Sequence, residues 1–180
     1  MVTERLKQSI RHVQDFPKKG IGFKDITTLL KNPDRFREAV DALLEPFRNS
    51  SVDKVVGIEA RGFLFASAIA YHLHAGLVPV RKPGKLPAET LEESYSLEYG
   101  TDRVAIHRDA ISKGDNVLMV DDLLATGGTM AASCRMVEEL GGNIVGVAFL
   151  VELDFLKGRG KLEKYPLHTL VHFQSEAQEP

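Results

Sequence analysis

The sequence predicts an α/β fold: a central, mostly parallel sheet with helices on both faces. Two observations carry this. Short apolar runs without polar alternation recur at residues 55–58, 77–80, 117–120 and 143–151, and segments of helical period separate them. Strands buried on both faces read that way, because neither face meets water. The size agrees: 180 residues, 43% of them hydrophobic, suit one domain with a sizeable core.

In chain order, Val2, Leu6, Ile10 and Val13 fall on one helical face, so an amphipathic helix opens the chain. Phe16-Pro17 and Gly20-Ile21-Gly22 end it and begin a loop. Asn32 is a helix cap with Pro33 at the first helical position, and Phe36, Val40, Leu43, Leu44 and Phe47 form that helix's apolar face. Strand 55–58 leads into helix 63–73 and strand 77–80. Residues 82–102 carry Pro83, Gly84, Pro87, four glutamates and two tyrosines without a clear period, which predicts a long loop of the kind that serves as a lid. Val104 and Ile106 alternate, making His107 an exposed strand residue. Strand 117–120 precedes a helix with the buried stripe Met130, Cys134, Val137 and Leu140, ended by Gly141-Gly142, and strand 143–151 follows.

Charge narrows the function classes. With 23 Lys+Arg against 25 Asp+Glu the formal net charge is −2, unlike the basic footprint of a nucleic-acid partner. Cys134 is the only cysteine, so no disulfide framework or cysteine zinc cluster exists, and a reducing, cytoplasmic setting is expected. The first twenty residues are too charged for a signal-peptide core. The uncharged run 62–80 approaches membrane length, but His72, His74, Gly76 and Pro79 divide it into a buried helix and strand, so no membrane partner is expected.

The most informative string is Val120-Asp121-Asp122-Leu123-Leu124-Ala125-Thr126-Gly127-Gly128-Thr129. A buried strand runs into a glycine- and hydroxyl-rich turn and then a helix, whose first N–H groups and dipole favour a phosphate. Gly127 and Gly128 remove Cβ atoms from the approach, Thr126 and Thr129 add hydroxyls, and Thr129 is a candidate N-cap. Asp121 and Asp122 would repel a bare polyphosphate, yet carboxylates accept from sugar hydroxyls and cation-bound water. Acids followed by a phosphate cradle suit a ribose 5-phosphate. Neither a Walker A string nor G-x-G-x-x-G after a strand is present. Two further strand-to-helix junctions concentrate cations: Ile58-Glu59-Ala60-Arg61-Gly62-Phe63, where Arg61 offers a bidentate phosphate contact, and Val80-Arg81-Lys82-Pro83-Gly84-Lys85. All three lie at C-terminal ends of predicted parallel strands, where open α/β sheets bind ligands.

The Asp-Asp-x-x-Ala-Thr-Gly-Gly-Thr string resembles the phosphoribosyl-pyrophosphate (PRPP) motif of the type I phosphoribosyltransferases. The strings Glu59-Ala60-Arg61-Gly62-Phe63-Leu64-Phe65, Val80 to Pro87, Tyr95-Ser96-Leu97-Glu98-Tyr99-Gly100 and Gly20-Ile21-Gly22-Phe23-Lys24-Asp25-Ile26-Thr27 are similar to the adenine-specific branch of that family, to about Leu170. The resemblance implies a Rossmann-like core over about 36–173, an N-terminal hood over about 1–35 for the base, a lid at about 82–102 and a tail at 174–180. It implies the reaction adenine + PRPP → AMP + pyrophosphate in purine salvage.

By the same resemblance, Ala125, Thr126, Gly127, Gly128 and Thr129 hold the 5-phosphate, and Asp121 and Asp122 address the ribose hydroxyls. Glu59, Ala60, Arg61, Lys82 and Lys85 face pyrophosphate, and the Glu59–Ala60 peptide is expected to be cis. Glu98 is the catalytic acid/base, with Tyr99 beside it and Arg61 on the leaving group. Phe23 stacks on adenine while the backbone at Gly22 and Lys24 reads its edge. Many relatives carry a bulkier aliphatic and an Arg at those two positions, so Gly22 is expected to loosen the loop. Mg²⁺ is implied as cofactor, carried by PRPP and water with Asp121 the candidate protein contact. A homodimer is implied, with Arg81 reaching the neighbouring site. Two other readings use the same fold: transfer to another base, against which residues 20–27 argue, and PRPP-sensing transcriptional control, for which the sequence offers no basic surface.

Overall fold

A computed structural model describes residues 1–96 and 100–176. The chain opens with helix α1 (Val2–Gln8) and strand β1 (Arg11–Val13), which pairs antiparallel with β2 (Phe23–Asp25), His12 opposite Lys24 and Val13 opposite Phe23. Val13 therefore leaves the helical face predicted for it. The Ser9 hydroxyl donates to the Leu6 carbonyl at 2.7 Å as the helix ends, and the backbone then extends. Helix α2 (Thr27–Leu30) leads to α3 (Pro33–Leu44). As expected, Asn32 caps α3: its Oδ1 accepts the N–H groups of Asp34 and Arg35 at 3.1 Å each.

Strand β3 (Lys54–Ile58), helix α4 (Gly62–Leu73) and strand β4 (Gly76–Val80) follow, then β5 (Thr90–Ser96), β6 (Thr101–His107), β7 (Asn116–Leu124), α5 (Gly128–Glu139), β8 (Asn143–Leu153) and β9 (Leu167–Phe173). The central sheet has the order β4-β3-β7-β8-β9, every pairing parallel. The uncharged run 62–80 is α4 plus β4, and no helix among the described residues is long and apolar enough to cross a membrane.

Period-2 alternation divides the core between the two faces. Along β7, Leu118 and Val120 pack with α1 to α4, while Val117 and Met119 pack under α5 and the β5-β6 hairpin. Each such fully buried side chain contributes about 1.5–3 kcal/mol. Helix α4 lies with Leu118 on one face, and α5 lies with Met119 on the other. Strands β3 and β7 are neighbours although their following helices cover opposite faces, so a crevice opens at their C-terminal ends.

The segment expected to be a loop over 82–102 is partly regular. Residues 90–96 form one arm of an antiparallel hairpin with β6, paired from Thr90 opposite His107 to Ser96 opposite Thr101. At the sheet's flank, Arg81 exchanges backbone hydrogen bonds with Ala105, tying the end of β4 to β6.

Candidate active site

Strand β7 carries Asp121 and Asp122 within its length and releases the chain at Ala125. Gly127 turns it with φ +75°, a left-handed conformation that L side chains rarely adopt, and α5 begins at Gly128. Helix α5 has no side-chain cap, so its first N–H groups face the turn. Thr129, a candidate cap by sequence, instead sits inside the first helical turn, where its carbonyl accepts from the Ser133 hydroxyl. A cavity of about 80 Å³ lies over this turn, lined by Asp121, Leu123, the residues 124–130 and Phe149.

The turn has a neighbour that sequence reasoning missed. Gly158 presses on it so closely that a Cβ there would lie 2.1 Å from the Ala125 carbonyl oxygen and 3.0 Å from the Gly127 nitrogen. Conversely, a Cβ on Gly127 would meet the Gly158 carbonyl oxygen at 2.5 Å. Next to Gly158, Arg159 forks onto Glu152 at 3.0 and 2.6 Å, and the Thr169 hydroxyl donates to the same carboxylate at 2.9 Å. That pair ties the segment after β8 to the sheet. Only the Gly-x-Gly spacing of 158–160 marked a turn there; nothing in it pointed to residue 125.

The two acids interact with each other. Asp121 Oδ1 accepts the Asp122 N–H at 2.8 Å. Burial pushes the Asp121 carboxyl well above the usual aspartate range, and the Asp122 charge pushes it further. Burial also raises Asp122, against the pull of the Arg61 guanidinium. Arg61 Nε lies 2.9 Å from Asp122 Oδ2, but the approach is out of line for N–H donation, so that buried oxygen has charge compensation without a hydrogen-bond donor. Gly62 makes room for the pair: a Cβ there would lie 2.6 Å from Asp121 Oδ1 and 3.2 Å from the Val120 carbonyl oxygen.

The other two junctions converge on the same crevice. Past β3 the Glu59–Ala60 peptide is cis, as expected, and Arg61 opens α4. Glu59 accepts from the Arg81 guanidinium at 2.8 Å and from the Lys82 N–H at 3.1 Å, and the Arg81 bond chiefly holds its carboxyl below the usual range. Arg81, expected to reach across to a partner, is thus folded onto Glu59 of its own chain, and its second branch donates to the Lys85 carbonyl at 3.0 Å. Lys82 engages Asp102 and donates to the Tyr95 hydroxyl at 3.3 Å. A cleft of about 380 Å³ brings together Glu59, Ala60, Arg61, Lys82, Asp121, Asp122 and Thr129, with Tyr95 as an unforeseen wall. Lys85 is exposed and outside that lining.

The hood joins the cleft through Phe23. Its ring meets Phe16 edge-on at 5.1 Å, and the Arg61 guanidinium lies 5.1 Å from its centre. Gly22, just before β2, is closely packed. A Cβ there would lie 2.3 Å from the Glu176 carbonyl oxygen and 2.7 Å from the His12 ring, so the glycine lets the C-terminal segment close over the hood. Lys24 is 3% exposed, its ammonium 3.1 Å from His12 Nδ1 and 4.3 Å from the Phe173 ring centre. Its side chain is committed to the interior.

Glu98 and Tyr99 lie outside the described residues. His107 accepts the Ala88 N–H at 3.3 Å on the hairpin and takes no part in the cleft. Burial pushes the Cys134 thiol up to about 12, in keeping with a core residue.

Comparison with known proteins agrees with this geometry. The phosphoribosyl transferase domain matches residues 25–176. Adenine phosphoribosyltransferase of Brachyspira hyodysenteriae is 55% identical over 168 residues, which span 93% of this chain and 99% of that protein. The Geobacter metallireducens enzyme of the same name is 56% identical over 170 residues, 94% of this chain and 99% of its own. The crystal structure of adenine phosphoribosyltransferase from Rhodothermus marinus superposes with a TM-score of 0.92 at 55% identity, covering 96% of this chain and 98% of that one. The Saccharomyces cerevisiae enzyme, solved with an imino-altritol bisphosphate and adenine, gives 0.88 at 44% identity over 94% and 98%. The domain match over most of the chain and relatives more than half identical along nearly their whole length settle its kinship: this chain belongs to the phosphoribosyltransferase family, in its adenine phosphoribosyltransferase branch.

Proposed function

We propose that this chain transfers the 5-phosphoribosyl group of PRPP to adenine, yielding AMP and pyrophosphate in purine salvage. The observation that supports it best is the junction of the two cavities at Asp121 and Thr129, which line both. One compartment suits a single phosphate on backbone donors, the other a leaving group of two linked phosphates beside cations, and a ribose would bridge them over the acids.

Displacement at the ribose carbon passes through oxocarbenium character, so positive charge on the sugar and negative charge on the leaving group need stabilising together. Ala125, Thr126, Gly127, Gly128 and Thr129 anchor the 5-phosphate through the first N–H groups of α5. Asp121 and Asp122 accept from the ribose hydroxyls and lie where they stabilise a cationic ring. Glu59, Ala60, Arg61, Lys82 and Lys85 serve pyrophosphate; for Lys85, outside the cleft lining, this requires the basic turn to move inward. Phe23, with the Gly22 and Lys24 backbone, holds adenine in line, which is where positioning contributes most. Glu98, with Tyr99, exchanges the ring proton as N9 attacks, a role that rests on family resemblance.

The buried Asp122 Oδ2 without a donor and the raised carboxyl beside it suit a hard divalent cation reached through water. When bound, Mg²⁺ supplies charge neutralisation to the pyrophosphate and ribose oxygens, with Asp121 and Asp122 the residues that would hold it. We further place the enzyme in the cytoplasm as a homodimer, in which Arg81 would have to leave Glu59 to serve a neighbour. Sedimentation showing only monomer at assay concentrations would remove the dimer.

A base panel with PRPP and Mg²⁺ tests the reading. Adenine should be converted to AMP, and Asp122→Asn should be severely impaired; turnover of hypoxanthine without adenine would overturn it.

A further inference from the structure

Tyr95 opens one of the family-like strings but has no role assigned in the cleft, yet it lines the larger cavity and packs against Gly128, which lines the smaller one. It lies on β5 and is 9% exposed. Its ring rests on Gly128, where a Cβ would meet Tyr95 Cδ2 at 3.0 Å. Its hydroxyl donates to Asp102 Oδ2 at 3.0 Å, across the hairpin, and accepts from Lys82 Nζ at 3.3 Å. Asp102 also takes the Lys82 ammonium directly, and that bond chiefly holds its carboxyl below the usual range. An ammonium has three N–H donors. Two are accounted for by Tyr95 and Asp102, which leaves one for a ligand, and Lys82, with 48% of its side chain exposed, is among the residues lining the cleft.

We propose that Tyr95 and Asp102 are positioning residues: hydroxyl and carboxylate aim Lys82 into the pyrophosphate half of the cleft, while the tyrosine ring braces Gly128 in the ribose-phosphate half. The inference rests on the functional reading above. Its distinctive content is that the two halves of one side chain serve two different ligands. The hydroxyl can be removed without the ring, so the two effects are separable.

Calorimetric titration of the full chain with pyrophosphate plus Mg²⁺, and separately with AMP, reads this directly. Tyr95→Phe should weaken pyrophosphate binding five- to tenfold and leave AMP within twofold, with the thermal midpoint unchanged. Tyr95→Ala should weaken both ligands. Asp102→Asn, at a surface position, should reproduce the pyrophosphate-selective loss and gives the same readout if the tyrosine variants fold poorly. Equal weakening of both ligands by Tyr95→Phe, or unchanged pyrophosphate affinity in it and in Asp102→Asn, would overturn the inference alone. Wild-type protein that bound neither ligand would overturn the functional reading along with it.

Discussion

Adding one methyl group at Gly158 should disable the phosphate turn from behind. In Gly158→Ala the new Cβ would sit 2.1 Å from the Ala125 carbonyl oxygen, where ordinary contact begins at 3.4 Å. The clash is therefore about 1.3 Å deep, and its partner is backbone that cannot rotate aside. Either the turn or the segment after β8 must move by about 1 Å, and Arg159 on Glu152 resists movement of the latter. A misplacement of about 1 Å can cost about 100-fold in rate, near 2.7 kcal/mol of transition-state stabilisation. Overpacking of this kind also costs about 1–3 kcal/mol of stability. The assay is steady-state kcat/KM for PRPP at saturating adenine, alongside thermal unfolding. Gly160→Ala is the control, because its Cβ would find only Glu163 Oε1, at 3.9 Å. If Gly158→Ala keeps kcat/KM within threefold of wild type while the control behaves the same, the turn is not held from behind.

Three further outcomes follow from the geometry. Asp121→Asn should raise the thermal midpoint of the ligand-free protein near neutral pH while lowering PRPP affinity. A carboxyl whose folded pKa lies above its unfolded value loses stability as pH rises through the folded value, so the gap should close as pH falls toward the ordinary 3.8. A variant no more stable than wild type at neutral pH would contradict this. Arg159→Met leaves the Glu152 carboxylate buried without its cation; discounted for the half-exposed arginine, about 2 kcal/mol should be lost, read as a fall of about 4–8 °C in Tm. Phe23→Ala should raise KM for adenine about tenfold, within the roughly 1–3 kcal/mol of a stacked base, and leave KM for PRPP nearly unchanged.

Strands 55–58 and 117–120 were readable because both their faces are covered, so no polar residue interrupts them, and 77–80 was readable because its exposed face also carries the apolar Leu77 and Pro79. The first arm of the hairpin was not. In β5, Leu91 and Tyr95 are buried, but the inward place between them is taken by Glu93, which Arg135 of α5 neutralises at 2.7 Å. One satisfied charge in the apolar row erased the alternation. Val13 failed for another reason: three extended residues after a short helix keep a spacing that a longer helix would share. In the site, the string 121–129 was legible because phosphate recognition is local, built from consecutive N–H groups. Tyr95, Gly158 and the Glu152–Arg159 pair act across distance in the chain, through packing that no linear spacing records. The close packing at Gly22 is hidden likewise, since its tight partner is Glu176, at the far end of the described chain.

The flank of the sheet at β4 has a consequence for how copies of this protein can meet. Val80 gives its carbonyl to Glu59 on the β3 side, so by alternation Leu77, Pro79 and Arg81 turn their main-chain groups outward. Proline has no N–H to offer, and Arg81 has already spent its groups on Ala105. An incoming strand would find a single amide, that of Leu77, and no ladder to extend. Growth of the sheet by stacking chains edge to edge is thereby closed on this side, and any pairing of subunits there must rely on side chains such as the exposed Leu77.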